Sequence, residues 1–245
     1  MEALEQFKKT LNSHINKALS GNVSLLNFLD DAMISELNKR CKQEHVNVYY
    51  FGGIKNCDRF RAIISLNEIS NNDFKIIIFK VKYNKKYNKI SHRSVLGSLM
   101  SLGIKRECIG DIVIDNNQDC YFACTLEISS YIYDNFRFIS NFPIELEYYD
   151  EIVENVLRYE DKVYFLPSLR LDACIAQVYK ISRSEALDII TNGLVFINHI
   201  NCLNSSHILK ENDEISVRHK GKFKVSLISG QSKSGKLAVT LSKRC

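Results

Sequence analysis

Residues 169–198 carry local signals that agree with one another, and they constrain the fold more than any other stretch. Four apolar residues recur at the spacing of a helix face: Leu171, Cys174, Ile175 and Val178. Ser182 and Glu185 then form an S-x-x-E capping box, which predicts that a second helix begins at Ser182. Gly193 ends this helix, and the apolar run LVFIN that follows is typical of a strand. We therefore expect two short helices followed by a β-strand.

An arginine, Arg183, lies in the first turn of the second helix, where the helix dipole disfavours a positive charge. Two explanations are open. A bound phosphate could accept hydrogen bonds from both the free N–H groups of the helix start and the guanidinium. Alternatively, Arg183 pairs with a nearby acid such as Glu185 or extends into solvent, at a cost of up to about 1 kcal/mol.

Basic residues are concentrated at the C-terminal end. From Val163 to Cys245 there are 12 Lys and Arg against 6 Asp and Glu, whereas the preceding residues hold 21 against 22. Eight basic residues and no acidic residue follow Glu214. In KFKVSLI, Lys222 and Lys224 alternate with apolar residues, which predicts a strand with one cationic face. We expect these charges to attract a polyanion.

The middle of the chain, from Phe74 onward, predicts the order strand, helix, strand, strand, helix, strand. This order is the split βαβ pattern of a ferredoxin-like sandwich, of which the RNA recognition motif (RRM) is one example. The RRM stacking motif is missing, because Tyr121 and Phe122 are adjacent and therefore face opposite sides of a strand. Stacking of single-stranded RNA by this region has no support from its residues.

We expect three domains, at residues 1–73, 74–160 and 161–245. The first is a helical region with one short strand-like run, VNVYYF. After it, the pair Gly52-Gly53 and the segment CDRFRAIIS suggest either a turn before a core segment or a binding loop. Between Glu145 and Asp161 the chain is acidic and is expected to be helical, and the domain linker should lie near there.

The C-terminal region resembles the S4 RNA-binding domain, a small module named after a ribosomal protein. The resemblance is carried by residues in the right order over about fifty positions: Arg170, Leu171, Asp172, Ser182, Arg183, Ala186, Gly193, Val195, Asn198, Asp213, Ile215, Val217 and Arg218. Family members usually have N-G where this chain has Asn198-His199, and G-D where it has Asn212-Asp213. Asn and His tolerate positive φ better than most residues, so the turns should survive.

The resemblance implies an RNA-binding surface made mainly of phosphate and sugar contacts. Its expected residues are Arg170, Lys180, Ser182, Arg183, Ser184 and Asn198, with Lys210, Arg218, Lys220 and Lys222 as a second cluster. We expect the cations of the helix start and of the sheet edge to form one cradle for a nucleic-acid backbone.

Along nearly all of its length the chain resembles the YlmH family of bacterial S4-domain proteins, through YFGG…DRFRA, LGIKRECIGDI and the S4 module. The implied fold class is α+β, with a helical N-terminal segment, a ferredoxin- or RRM-like middle domain and a C-terminal S4 domain of the αL type. The resemblance also implies binding to ribosomal RNA on the large ribosomal subunit and handling of stalled subunits that hold peptidyl-tRNA. Transfer RNA is a further candidate partner, and some members are linked to cell division.

The sequence contains no recognised catalytic motif. S4-bearing pseudouridine synthases place the module first, whereas here RLD at 170–172 opens a module near the C-terminus. A methyltransferase would need a G-x-G-x-x-G loop, which is absent, and His199, Cys202 and His207 lack a fourth metal ligand at a recognised spacing. We expect a non-catalytic protein without a cofactor or metal. An RNA-modifying enzyme of the pseudouridine synthase or methyltransferase type, with an unrecognised active site, stays open as the alternative.

The chain lacks the features of a membrane or secreted protein. No apolar run approaches the roughly 18–20 residues of a membrane helix, and MEALEQFKK begins acidic and amphipathic, unlike a signal peptide. The eight cysteines are scattered through apolar patterns, which is typical of reduced thiols. We expect a cytoplasmic monomer.

Overall fold

The computed structural model describes residues 2–231 and 235–245 and forms two compact units, Met1–Val156 and Leu157–Cys245. The boundary at Val156 lies close to the expected start of the C-terminal domain at residue 161. Within the described residues, no helix is long and apolar enough to cross a membrane.

The first unit begins with two helices and a small antiparallel sheet. The helices are α1 (Glu2–Leu19) and α2 (Asp31–Gln43), and the strands are β1 (Ser24–Leu25), β2 (Asn47–Phe51) and β3 (Arg61–Ser65), in the order β1-β3-β2. Leu11, Ile15, Leu37 and Ile64 are buried together between the helices and the sheet. The expected helical stripes are present, and the strand-like run VNVYYF forms β2, while β1 and β3 complete a sheet in a region predicted to be mainly helical.

The same unit continues with the expected ferredoxin-like sandwich. Its elements are β4 (Ile76–Lys82), α3 (His92–Ser101), β5 (Ile109–Ile114), β6 (Cys120–Thr125), α4 (Leu126–Asn135), a hairpin of β7 (Phe138–Ile139) and β8 (Phe142–Pro143), and β9 (Glu145–Tyr148). The sheet is antiparallel in the order β5-β6-β4-β9. Phe79, Phe122, Leu99 and Ile132 are buried between this sheet and its two helices, so the prediction for the middle region is confirmed.

The other face of the sandwich sheet is partly covered by the N-terminal region. Phe28 and Ile54 pack there against Val113 and Ala123. A Cβ on Gly110 of β5 would lie 2.6 Å from Cε1 of Phe28, so the close contact requires glycine at that position. In an RRM this face stacks RNA bases, and here part of it belongs to the protein core.

Two sequence features of the first unit have structural explanations. A Cβ on Gly53, whose φ is +79°, would lie 2.8 Å from Cγ2 of Ile76, so close packing accounts for this glycine. The prediction of a helix between Glu145 and Asp161 is wrong. The backbone of Lys55 instead donates to the carbonyl of Val153 and accepts from the N–H of Asn155, which holds that segment extended.

The second unit packs two helices on one face of a six-stranded antiparallel sheet. Its elements are β10 (Tyr159–Leu166), α5 (Leu171–Tyr179), α6 (Arg183–Thr191), β11 (Val195–Ile197), β12 (Ile200–Asn201), β13 (Glu214–Val217), β14 (Gly221–Gln231) and β15 (Leu237–Arg244). The strand order is β10-β15-β14-β13-β11-β12. Ile175, Ala186 and Ile190 of the helices are buried with Phe223 and Leu241 of the sheet.

Candidate nucleic-acid interface

The start of α6 contains one half of the predicted capping box, the hydrogen bond to the Ser182 side chain. Ser182 is extended (φ −68°, ψ 156°), and its Oγ accepts a hydrogen bond of 3.0 Å from the N–H of Glu185. Lys180, with φ +54°, closes α5 in the left-handed conformation and lets the chain turn into the cap. The Glu185 carboxylate lies 3.3 Å from Nζ of Lys220, so it anchors a cation of the β13–β14 turn.

A carboxylate of the neighbouring helix compensates the positive charge of Arg183 at the start of α6. Its Nη2 donates to Oδ2 of Asp172 at 2.7 Å, and Nε and Nη2 of Arg170 donate to the same carboxylate at 3.2 and 3.0 Å. Asp172 lies in the first turn of α5, where the helix dipole favours a negative charge. The partner of Arg183 is therefore Asp172, whereas the sequence had suggested Glu185, a bound anion or solvent.

This triad combines a shielded acid with two accessible cations. The side chain of Asp172 is only 9% exposed, against 37% for Arg170 and 55% for Arg183. Burial opposes ionisation of Asp172, but hydrogen bonds from Arg170 and Arg183 outweigh it and hold its pKa below the ordinary value. The hydrogen bond to Asp172 also raises the pKa of Arg170. Two guanidinium groups thus share one carboxylate, which leaves a net positive charge where two helices begin.

Other expected residues lie close to this triad. Lys180 and Ser184 are exposed on either side of Ser182 and Arg183, and Lys220 approaches through its pair with Glu185. We name the set Arg170, Lys180, Ser182, Arg183, Ser184 and Lys220 the helix-start cluster.

Lys222 lies on the opposite face of the sheet. Its strand pairs it with Ser216, while the neighbouring pair Ile215 and Phe223 is buried beneath the helices. The Lys222 side chain is 11% exposed, and its Nζ lies 3.2 Å from the carboxylate of Glu214. The predicted alternation along this strand is therefore present, but the structure does not bring Lys222 into the helix-start cluster. The single cradle expected from the sequence is divided between two faces.

The remaining expected residues occupy turns and a strand end. Nδ2 of Asn198 donates to Asp213, and its Oδ1 accepts from the N–H of Glu214, so both polar atoms of this side chain tie two loops together. Lys210 is exposed at the start of the second of these loops. Arg218 follows β13, and its N–H donates to the carbonyl of Leu194. Asn198, His199 and Asn212 have φ values of +49°, +65° and +70°, so the turns survive without glycine, as expected.

Aromatic partners of the C-terminal cations were missed in the sequence. Nζ of Lys224 lies 4.3 Å from the centre of the Tyr159 ring, and Nζ of Lys243 lies 5.3 Å from that of Tyr179. Both pairs join residues distant in sequence: the first depends on how the strands are arranged in the sheet, and the second on how α5 packs against it. Across residues 2–231 and 235–245, no group of three or more His, Cys, Asp or Glu side chains is arranged to hold a metal ion.

Comparisons with known proteins agree with this architecture. A family model described as "Putative RNA-binding domain in YlmH" matches residues 70–151, and the S4 domain model matches residues 169–215. Ribosome-associated protein quality control protein P2 of Bacillus subtilis (strain 168) is 28% identical over 252 residues, covering 98% of each chain. Neither matched family is a catalytic one.

A solved structure, the cell division protein ylmH from Streptococcus pneumoniae, has a TM-score of 0.51 at 21% identity. The match covers 60% of this chain and 90% of that one, and at this identity it shows the fold alone. Both domain matches fall in the order that the elements predict, and the Bacillus relative aligns from end to end. The chain therefore contains a domain that matches the putative RNA-binding domain of YlmH and, after it, an S4 domain, and it resembles the Bacillus protein along its whole length.

Proposed function

We propose that the protein is a non-catalytic factor that binds ribosomal RNA through the helix-start cluster and associates with the large ribosomal subunit. The observation that carries the proposal is the sharing of one shielded carboxylate, Asp172, by two accessible arginines at adjacent helix starts. Such an arrangement presents excess positive charge beside the start of α6, which suits a phosphate group.

Arg183 can turn toward a phosphate without leaving Asp172 unpaired. The carboxylate would keep its hydrogen bonds from Arg170 and from the N–H of Ala173, the latter at 2.8 Å. The hydroxyl groups of Ser182 and Ser184 stand beside Arg183 and offer further donors. Because these side chains would contact phosphate and sugar groups, the affinity should depend more on the shape of a folded RNA than on its base sequence.

The ribosomal part of the proposal draws on the Bacillus relative, whose name describes ribosome-associated quality control and whose whole length aligns with this chain. We infer that this protein has a similar role: it acts in the cytoplasm on stalled ribosomes, with transfer RNA as a second ligand. The two RNA-type domain matches support RNA as the direct partner.

Sedimentation with purified large ribosomal subunits tests this function. The wild-type protein should move with the subunits in a sucrose gradient, and the double variant Arg170→Ala/Arg183→Ala should stay near the top. Lys162→Ala, which removes one exposed cation from β10 of the same unit, serves as the control and should sediment like the wild type. Equal sedimentation of the double variant would reject the helix-start cluster as the binding surface.

The enzymatic alternative makes a different prediction. Ribosomal RNA incubated with the protein, with and without S-adenosylmethionine, should keep the same nucleoside composition and mass if the protein is non-catalytic. A methyl group added to the RNA, or pseudouridine detected by chemical labelling, would establish an RNA-modifying enzyme instead.

A further inference from the structure

The first unit contains an open groove of about 880 Å³ that the RNA-binding proposal does not use. It runs from the end of β2 along the first residues of β4 to the end of β9. Its lining is rich in aromatic and branched side chains, among them Tyr50, Phe51, Ile76, Ile77, Tyr148 and Ile152.

Apolar side chains at one end of the groove face solvent. Tyr148 is 51% exposed and Ile152 is 75% exposed, although both are large apolar residues. The Tyr148 ring packs against two other rings of the same unit: its centroid lies 5.0 Å from that of Tyr133 and 4.8 Å from that of Phe79. A rigid apolar surface that remains exposed in this way is typical of a binding site for a partner.

The charges around the groove disfavour nucleic acid. Residues 145–154 contain five acidic residues and no basic residue: Glu145, Glu147, Asp150, Glu151 and Glu154. Asp150 and Glu151 line the groove itself, against one lining cation, Lys55. A phosphate backbone would be repelled here, whereas lysine or arginine side chains would be attracted.

The backbone beside the groove is suited to an extended peptide. β9 is the outermost strand of the sandwich sheet and ends at Tyr148, inside the groove. An edge strand offers N–H and C=O groups to an added strand, and neighbouring apolar pockets can then select alternate side chains.

We propose that this groove binds an extended, Lys- or Arg-rich protein segment with apolar anchor residues, of the kind that basic ribosomal proteins present. The choice of ribosomal proteins rests on the proposed ribosome association, whereas the charge and shape of the ligand rest on the groove alone. In this proposal the basic second unit contacts RNA, and the first unit contacts protein.

An array of overlapping peptides of about 15 residues, covering all bacterial ribosomal proteins, tests the proposal on the full-length protein without ribosomes. Bound peptides should be basic and should contain at least one large apolar residue. For the strongest binders, measured by fluorescence anisotropy, Ile152→Ser and Asp150→Lys/Glu151→Lys should each weaken binding by about tenfold or more.

Two controls separate this inference from the proposed function. Leu66→Ser changes another exposed apolar residue of the same unit, 51% exposed and outside the groove lining, and should bind the peptides normally. Arg170→Ala/Arg183→Ala should lose RNA but keep the peptides. The inference is overturned if no basic peptide binds, if acidic peptides bind equally well, or if the groove variants lose RNA affinity and keep the peptides.

Discussion

Arg183→Ala should weaken RNA binding in a way that identifies Arg183 as a phosphate contact. A hydrogen bond to a charged group contributes about 1.5–3 kcal/mol. In the free protein Arg183 already pairs with Asp172, and a half-exposed pair of this kind is worth about 0.2–1 kcal/mol, which RNA binding must offset. The expected net loss of binding free energy is about 0.5–2.8 kcal/mol, or about 2- to 100-fold in affinity.

Fluorescence anisotropy with a folded fragment of large-subunit ribosomal RNA, between about 50 and 200 mM salt, measures both the affinity and its salt dependence. The slope of log K against log salt should become shallower by about 0.7–0.9, because one phosphate contact is lost. Lys162→Ala removes the same charge from β10 and should leave the slope within error. If both variants lose affinity equally, only net charge matters and the assigned role of Arg183 is wrong.

Three further substitutions test other parts of the structure. Asp172→Asn should lower the free energy of unfolding by about 1–2 kcal/mol at pH 7. Because the folded pKa of Asp172 is lowered, this contribution is complete above the unfolded pKa of about 3.9 and is lost as the pH falls through the folded value. In urea unfolding, the difference between the variant and the wild type should therefore shrink as the pH is lowered below about 3.9. Arg61→Met should lower the free energy of unfolding by about 2–4 kcal/mol in the same assay, since the Arg61 side chain is 3% exposed and its Nε donates to a backbone carbonyl within the first unit. The salt dependence of RNA binding should stay unchanged, and a shallower slope would instead make Arg61 an RNA contact. Gly110→Ala should lower the urea midpoint by an amount equivalent to about 1–3 kcal/mol, because the added methyl group meets the Phe28 ring, and an unchanged midpoint would contradict that packing.

The elements were predictable from sequence wherever several local signals coincided. In the second unit the apolar stripe, the Ser182 cap and Gly193 all indicated the same two helices, and the structure contains them as α5 and α6. The predicted helix at residues 145–161 failed because a long-range pairing with Lys55 sets the backbone there, and no local pattern reports such a contact. In the first unit the strand-like run VNVYYF corresponds to β2, but its pairing into a small sheet was missed for the same reason.

The candidate site was predictable in its residues but not in its arrangement. Arg170, Asp172 and Arg183 were all singled out, yet their sharing of one carboxylate depends on how α5 packs against α6. The alternation at Lys222 correctly placed it on a strand, but the face on which it lies follows from the strand register. The sequence therefore identified the cations and could not show that they occupy two faces.

Amide hydrogen exchange of the full-length protein, with and without folded large-subunit ribosomal RNA, tests the central claim most directly. The N–H groups of Arg183 and Ser184, at the start of α6, should exchange more slowly when RNA is present, because phosphate and bound RNA shield them. Exchange in residues 145–154, beside the acidic groove, should not change. Protection at residues 145–154 with none at the start of α6 would contradict the assignment of RNA binding to the helix-start cluster.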